Sequence, residues 1–72
     1  MSERIMGKVK WFNSERGYGF ILDENDENVE YFVHYSSIEM KGFKKLVEDQ
    51  VVSFVVEDTE RGIQAKEVII EG

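Results

Sequence analysis

The chain of 72 residues carries 15 acidic and 9 basic side chains, a net charge of −6, and it contains no cysteine. So short a chain forms one small domain that buries only about 60% of its unfolded surface, and the lack of cysteine excludes disulfides and thiolate metal sites. No apolar run approaches the ~20 residues of a membrane-spanning helix, and the first residues lack the hydrophobic region of a secretory signal. We therefore expect a single domain over residues 1–72, with a short lead-in at 1–6, in the cytoplasm and without a membrane partner.

Alternating apolar and polar side chains are typical of β-strands, and this pattern continues along the whole chain. Five strands are expected, at residues 6–13, 17–22, 29–35, 50–57 and 63–70. The polar stretch 23–28 and the stretch 58–62 are predicted loops, the second of them a hairpin. Ser36 and Glu39 have the spacing of a capping box, which predicts one 3₁₀ turn before an irregular segment at 41–49.

Five strands without packed helices must close on one another to bury a core, because an open sheet would leave its edges unpaired. The economical arrangement is an all-β fold, a five-stranded antiparallel Greek-key barrel of the OB-fold type. The side chains predicted to fill this barrel are Val9, Ile21, Tyr31, Val33, Ile38, Val52, Phe54, Val56 and Val68.

The stretch RGYGF, residues 16–20, places two large aromatic residues between glycines. In a strand, Tyr18 and Phe20 point to one face and the two glycines to the other. Phe32 and His34 share a face in the same way, so pairing of the second and third strands would join four rings. This predicts a flat aromatic patch with Trp11 beside it, and its basic rim would be formed by Lys8, Lys10 and Arg16.

Flat rings with a basic rim suit single-stranded nucleic acid, because every unpaired base offers a face for stacking and its phosphate attracts cations. A duplex is a poorer ligand, since its bases already stack on each other. The charge distribution supports such a surface despite the acidic total. Residues 1–20 carry four basic and two acidic side chains, whereas residues 21–40 carry six acidic and no basic ones.

Two stretches, GKVKWFNSERGYGFI (residues 7–21) and YFVHYSSI (residues 31–38), resemble the RNP1-type and RNP2-type motifs of the bacterial cold-shock proteins. The resemblance continues over nearly the whole chain. The RNA recognition motif shares similar short motifs, but it carries them in the opposite order and needs two helices. The resemblance implies a cold-shock domain, a five-stranded OB-type barrel that binds single-stranded RNA and DNA.

Carried over by position, the resemblance implies seven base-stacking side chains: Trp11, Tyr18, Phe20, Phe32, His34, Tyr35 and Phe43. It implies polar and phosphate contacts from Lys8, Lys10, Asn13, Arg16, Arg61 and Gln64, with Phe12 as a partly buried contributor. It also implies a monomer that prefers pyrimidine-rich strands and acts as an RNA chaperone or transcription antiterminator, with no cofactor and no metal.

The chain departs from the family pattern at several positions. Ile63 stands where the family usually has a proline, so no proline ring is present to pack on a base there. Tyr18 and Tyr35 stand where phenylalanine is common, which keeps the ring and adds a hydroxyl. Tyr31 replaces a small aliphatic residue, and its hydroxyl must therefore reach a partner or the edge of the barrel.

Two other functional classes stay open at this point. An OB-type module could use the same patch to bind another protein, although the basic rim disfavours this reading. An enzyme is the weakest alternative, because the sequence shows no nucleophile–base pair, phosphate loop or metal-ligand cluster, and His34 is the only histidine. The acidic segment 23–30 is interpreted as a solvated loop, with exclusion of duplexes as the sharper alternative.

Overall fold

The structure is a computed structural model that describes residues 4–39 and 45–71. Its five strands are β1 (Arg4–Asn13), β2 (Tyr18–Asp23), β3 (Glu30–His34), β4 (Val51–Thr59) and β5 (Gly62–Ile70). A single 3₁₀ turn, Tyr35–Ser37, follows β3, and these described ranges contain no other helix. The prediction of an all-β chain with five strands is confirmed.

The strands form a closed barrel in the order β1-β2-β3-β5-β4. Four of the neighbouring pairs are antiparallel, but β3 and β5 run parallel and meet at Phe32 and Gln64. The expectation of an entirely antiparallel barrel is therefore wrong in this one pair. The reason is geometric, because strand direction cannot alternate at every pair around a closed ring with an odd number of strands.

The buried core contains eight of the nine side chains predicted for it, and Leu46 and Ala65 complete it. The prediction is wrong for Val56, which is 38% exposed. Val56 pairs with the buried Ala65, but the rest of β4 beyond it is exposed or half-buried, so no further core lies above it. Strand parity gives the side to which a residue points and does not show where the core ends.

The hydroxyl of Tyr31 has the hydrogen-bond partner that the sequence analysis required. Its ring packs in the core against Phe54, with 4.9 Å between the ring centroids. The hydroxyl donates a hydrogen bond to Oδ2 of Asp23 over 2.8 Å, which ties β3 to the end of β2. Burial, and then the neighbouring carboxylate of Asp23, raise the pKa of Tyr31 to about 12.

The 3₁₀ turn forms where it was expected, but with a different cap. His34, and not Ser36, is the N-cap, because its Nδ1 accepts a hydrogen bond from the backbone N–H of Ser36. The same nitrogen lies 2.8 Å from Oγ of Ser36. The predicted capping box with Glu39 is wrong, since the turn ends at Ser37. The last residue of β3 is thereby held in place by the turn that follows it.

Candidate nucleic-acid interface

The register of β1, β2 and β3 aligns their outward side chains in rows across the barrel wall. One row contains Trp11, Phe20 and Phe32, and the next contains Asn13, Tyr18 and His34. We call the outward rings of Trp11, Tyr18, Phe20, Phe32 and His34 the aromatic surface. The pairing of β2 with β3 that the sequence reading required is present.

Four rings of the aromatic surface, those of Trp11, Tyr18, Phe20 and Phe32, contact one another. Trp11 lies 5.4 Å from Phe20 and 5.7 Å from Tyr18 between ring centroids. Phe32 lies 5.8 Å from both Tyr18 and Phe20, and its ring is nearly parallel to that of Tyr18. These separations are those of favourable aromatic pairs. All five side chains of the surface are half-buried, so each ring keeps an accessible part.

Trp11 reaches this surface only because β1 contains a bulge. Val9 pairs with Ile21, and both are buried, whereas Trp11 pairs with Phe20 on the outside. Strict alternation from Val9 would have directed Trp11 into the core. The register shift at Lys10 adds one residue to β1 and reverses the alternation. Trp11 was predicted to lie in the aromatic patch, but the bulge that places it there was not predicted.

The glycines of RGYGF have separate packing roles. Gly17 precedes β2 with φ +77°, a conformation that favours glycine, and the strand begins one residue later than predicted. A Cβ on Gly17 would lie 2.7 Å from the ring of Tyr35. A Cβ on Gly19 would lie 2.7 Å from Cα of Phe12 and would also collide with the carbonyl oxygen of Trp11. Both glycines therefore allow close approach of neighbouring residues beside the aromatic surface.

Tyr35 extends the aromatic surface beyond β3. Its ring centroid lies 4.5 Å from that of His34, and its side chain is 48% exposed. The backbone N–H of Tyr35 donates to the carbonyl oxygen of Gly17 over 2.8 Å. The exposed ring is thus anchored to the loop between β1 and β2.

Phe12 and Asn13 sit at the end of β1 in different environments. Phe12 pairs with Gly19, is partly buried and packs against the core, on the side opposite to the aromatic surface. Asn13 is exposed, and its Oδ1 accepts hydrogen bonds from the backbone N–H groups of Glu15 and Arg16. The amide oxygen of Asn13 therefore shapes the turn that carries Arg16.

Two side chains of the predicted basic rim, Lys8 and Lys10, lie beside the aromatic surface, and Arg16 lies in the turn after β1. Lys8, Lys10 and Arg16 are all exposed. Lys8 stands in a row with Leu22 and Glu30, directly next to the row of Trp11, Phe20 and Phe32. Lys10 pairs with Glu30 across the face, with 3.0 Å between Nζ and Oε2.

A cleft of about 190 Å³ adjoins the other side of the surface. It is lined by Phe20, Phe32, Arg61, Ile63 and Gln64. The parallel pairing of Phe32 with Gln64 brings the start of β5 beside the rings. Arg61 and Gln64 thus lie next to the aromatic surface, and Ile63 occupies the cleft where the family pattern has proline.

Phe43 lies outside the residues that the structure describes, so its predicted stacking role stays a prediction.

Glu30 was not predicted as part of the site. The signal was present, because Glu30 lies two residues before Phe32 and strand parity places both on one face.

Neither a metal site nor a membrane-spanning helix is present among residues 4–39 and 45–71. These residues contain no group of three or more His, Cys, Asp or Glu side chains arranged to hold a metal ion. They also include no helix long and apolar enough to cross a membrane.

Comparison with known proteins gives consistent matches over the chain. The model of the 'Cold-shock' DNA-binding domain matches residues 5–70. The chain is 55% identical over 65 residues to the major cold shock protein CspA of Bacillus cereus, covering 90% of this chain and 94% of that protein. It is 55% identical over 64 residues to the cold shock-like protein of Thermotoga maritima, covering 89% of this chain and 94% of that one.

A solved structure, that of drosophila Unr CSD456, has a similar fold. The TM-score is 0.79 at 18% sequence identity, and the match covers 99% of this chain. The chain spans 28% of the length of that protein, and at this identity the likeness concerns the fold alone.

Proposed function

The chain belongs to the cold-shock domain family, and we propose that it binds single-stranded RNA and DNA by stacking unpaired bases on the aromatic surface. The observation that carries this proposal is the contiguous set of outward rings on β1, β2 and β3. These outward rings are not members of the buried core, which is formed by other residues. Each stacked base contributes about 1–3 kcal/mol to binding.

The polar groups around the rings position the strand. Lys8, Lys10 and Arg16 contact phosphates on one side, and Arg61 and Gln64 contact the strand from the cleft on the other side. Tyr35 extends the stacking beyond the aromatic surface, Phe43 supplies a further stacking ring, and Asn13 and Phe12 support the end of β1. Only four of the chain's nine basic side chains are assigned to the ligand, so stacking supplies most of the affinity and phosphate contacts supply less.

Capture of unpaired bases shifts RNA from folded to open forms by mass action. This requires no energy source and no catalysis, so we propose a binding protein that acts as an RNA chaperone or antiterminator and not an enzyme. Pyrimidine-rich strands are the expected ligands and a monomer the expected state. A reducing compartment such as the cytoplasm fits the absence of cysteine.

Fluorescence of Trp11 tests this proposal, because Trp11 is the chain's only tryptophan and belongs to the aromatic surface. The protein is titrated with oligo-dT, oligo-dA and a matched duplex at several salt concentrations. We expect strong quenching by oligo-dT, weaker quenching by oligo-dA and almost none by the duplex. The affinity should fall with salt with a log–log slope of about −0.7 for each phosphate contacted.

Two results would contradict the proposal. Equal affinity for duplex and single strand would remove stacking as the basis of binding. No response to any nucleic acid, in a folded protein, would favour the alternative in which the aromatic surface binds another protein.

A further inference from the structure

The ion pair between Lys10 and Glu30 lies across the outer face of β2. Lys10 belongs to β1 and Glu30 to β3, and both strands flank β2. Nζ of Lys10 lies 3.0 Å from Oε2 of Glu30, so the two side chains meet above the strand that separates them. The residues of β2 under this region are Phe20 and Leu22, which pair with Trp11 and with Glu30 respectively. The ion pair therefore borders the aromatic surface.

Both members of the pair remain accessible to a ligand. Their side chains are 45% and 37% exposed, for Lys10 and Glu30 respectively. Exposed ion pairs of this kind are weak and are screened by salt. A phosphate could therefore displace Glu30 from Lys10, but only in competition with a carboxylate that is already in place.

We propose that Glu30 is an intramolecular competitor of phosphate, which holds Lys10 at the border of the aromatic surface and thereby lowers the affinity for nucleic acid. This inference rests on the proposed function. It assigns to Glu30 the role of limiting affinity, so that a strand captured by the rings is also released. The bulge that turns Trp11 outward also leaves Lys10 without a paired residue on β2. The same local irregularity therefore provides a stacking ring and a cation that Glu30 can bind.

The competition has a signature in the salt dependence. In the native protein, a phosphate that pairs with Lys10 releases a cation from the nucleic acid but leaves Glu30 without its partner. In E30Q no carboxylate is left behind, so the log–log slope of affinity against salt should become steeper by up to about 0.7. The gain in affinity should therefore be largest at low salt, up to about fivefold for an exposed pair.

The test compares E30Q with E27Q by titration of Trp11 fluorescence with oligo-dT. Glu27 is an exposed side chain of the neighbouring acidic loop, so E27Q removes the same charge without touching the ion pair. We expect E30Q to bind more tightly than both the native protein and E27Q, with the difference shrinking as salt rises. Thermal unfolding of each variant shows that the barrel is retained.

A double-mutant cycle separates an effect through Lys10 from every other effect of Glu30. In a K10Q background, E30Q should change the affinity no more than E27Q does. If E30Q matches E27Q in the native background, the proposal is overturned, because only the overall charge matters. If E30Q binds more weakly than the native protein, it is overturned as well, because Glu30 then contacts the ligand. If the native protein binds no oligonucleotide, the failure lies with the proposed function.

Discussion

Two outward faces of this barrel differ in how their side chains interact. The face of β1–β2–β3 presents rings that contact one another and leave their accessible parts to solvent. The outward face around β4 and β5 is joined by hydrogen bonds within the chain. The guanidinium of Arg4 donates to the backbone and side-chain oxygens of Ser53, and the hydroxyl of Ser53 donates to Glu71 over 2.6 Å. Among the described residues, one face thus presents accessible rings, while the other is held by hydrogen bonds within the chain.

A local irregularity of the backbone shapes each face. On β1, the register shift at Lys10 moves Trp11 outward. Between β4 and β5, the register shifts between Ser53 and Val55, and Glu67 on β5 adopts φ +50°. There the carbonyl oxygen of Glu67 accepts a hydrogen bond from Arg4. One irregularity thus turns an aromatic ring outward on one face, and the other presents a hydrogen-bond acceptor on the opposite face.

The largest expected difference between the faces concerns binding. Tyr18→Ala and Phe32→Ala should each weaken oligo-dT binding by about 1–3 kcal/mol, because each removes a stacking ring. Ile69→Ala is the matched control, since Ile69 is 39% exposed and pairs with Ser53 on the far face. It should leave the affinity unchanged. Equal losses from Ile69→Ala and Phe32→Ala in folded proteins would remove the distinction between the faces.

Gly19→Ala should destabilise the barrel by about 1–3 kcal/mol, as overpacking does. The added Cβ would meet backbone atoms of Trp11 and Phe12, which cannot rotate away as a side chain can. Chemical denaturation of the native protein and the variant measures this difference. A variant of native stability would show that β1 and β2 can separate without cost and that Gly19 has no packing role.

Tyr31→Phe should lower the free energy of unfolding by about 1 kcal/mol at neutral pH, because it removes the hydrogen bond to Asp23. The pKa of Tyr31 is raised to about 12 from 10, so its contribution is present below pH 10 and is lost as the pH rises towards 12. The pKa of Asp23 is lowered from 3.8, chiefly by the hydrogen bond from Tyr31, so that contribution is lost as the pH falls below about 4.

Denaturation of the native protein and of Tyr31→Phe across the pH range checks both limits. The stability difference between the two proteins should be greatest at intermediate pH and smaller at either extreme. A difference that stays constant from pH 3 to pH 12 would mean that the hydroxyl stabilises the barrel independently of the charge on Asp23 and of its own ionisation.

The smallest expected effect is that of Arg4→Gln on the far face. The loss of hydrogen bonds to Ser53 and to Glu67 should destabilise the barrel by about 0.5 kcal/mol, since one of these bonds is only partly buried and the other is exposed to water. Binding of oligo-dT should not change. A loss of affinity without a loss of stability would show that Arg4 serves the ligand and not the barrel.

Strand alternation sufficed to predict the main features of the fold. It located all five strands and seven of the eight correctly predicted core residues, because a half-buried strand must alternate its side chains, whereas Ile38 lies outside the strands. It could not predict that β3 and β5 run parallel, since their single paired position, Phe32 with Gln64, depends on how the ring closes. It also missed the burial of Leu46, which lies in a segment without periodicity.

The candidate site was predictable to a similar extent. The pairing of β2 with β3 follows from their patterns and brings Phe20 to Phe32. The outward position of Trp11 depends on a bulge, which strand alternation does not predict. The N-cap at His34 depends on a ring nitrogen that accepts a hydrogen bond as a side-chain oxygen usually does at this position. The ion pair of Lys10 with Glu30 was not predicted, because it joins β1 to β3 across β2 and Glu30 was assigned to a solvated acidic loop.

Amide chemical shifts of ¹⁵N-labelled protein, recorded during titration with oligo-dT, test the central claim most directly. The claim is that unpaired bases bind the outward face of β1–β2–β3 and leave the far face free. We expect the largest shift changes at Trp11, Tyr18, Phe20, Phe32 and His34 and at the adjoining Arg61–Gln64, with little change around Ser53 and Ile69. Changes centred on Ser53 and Ile69, or spread evenly over both faces, would contradict the account.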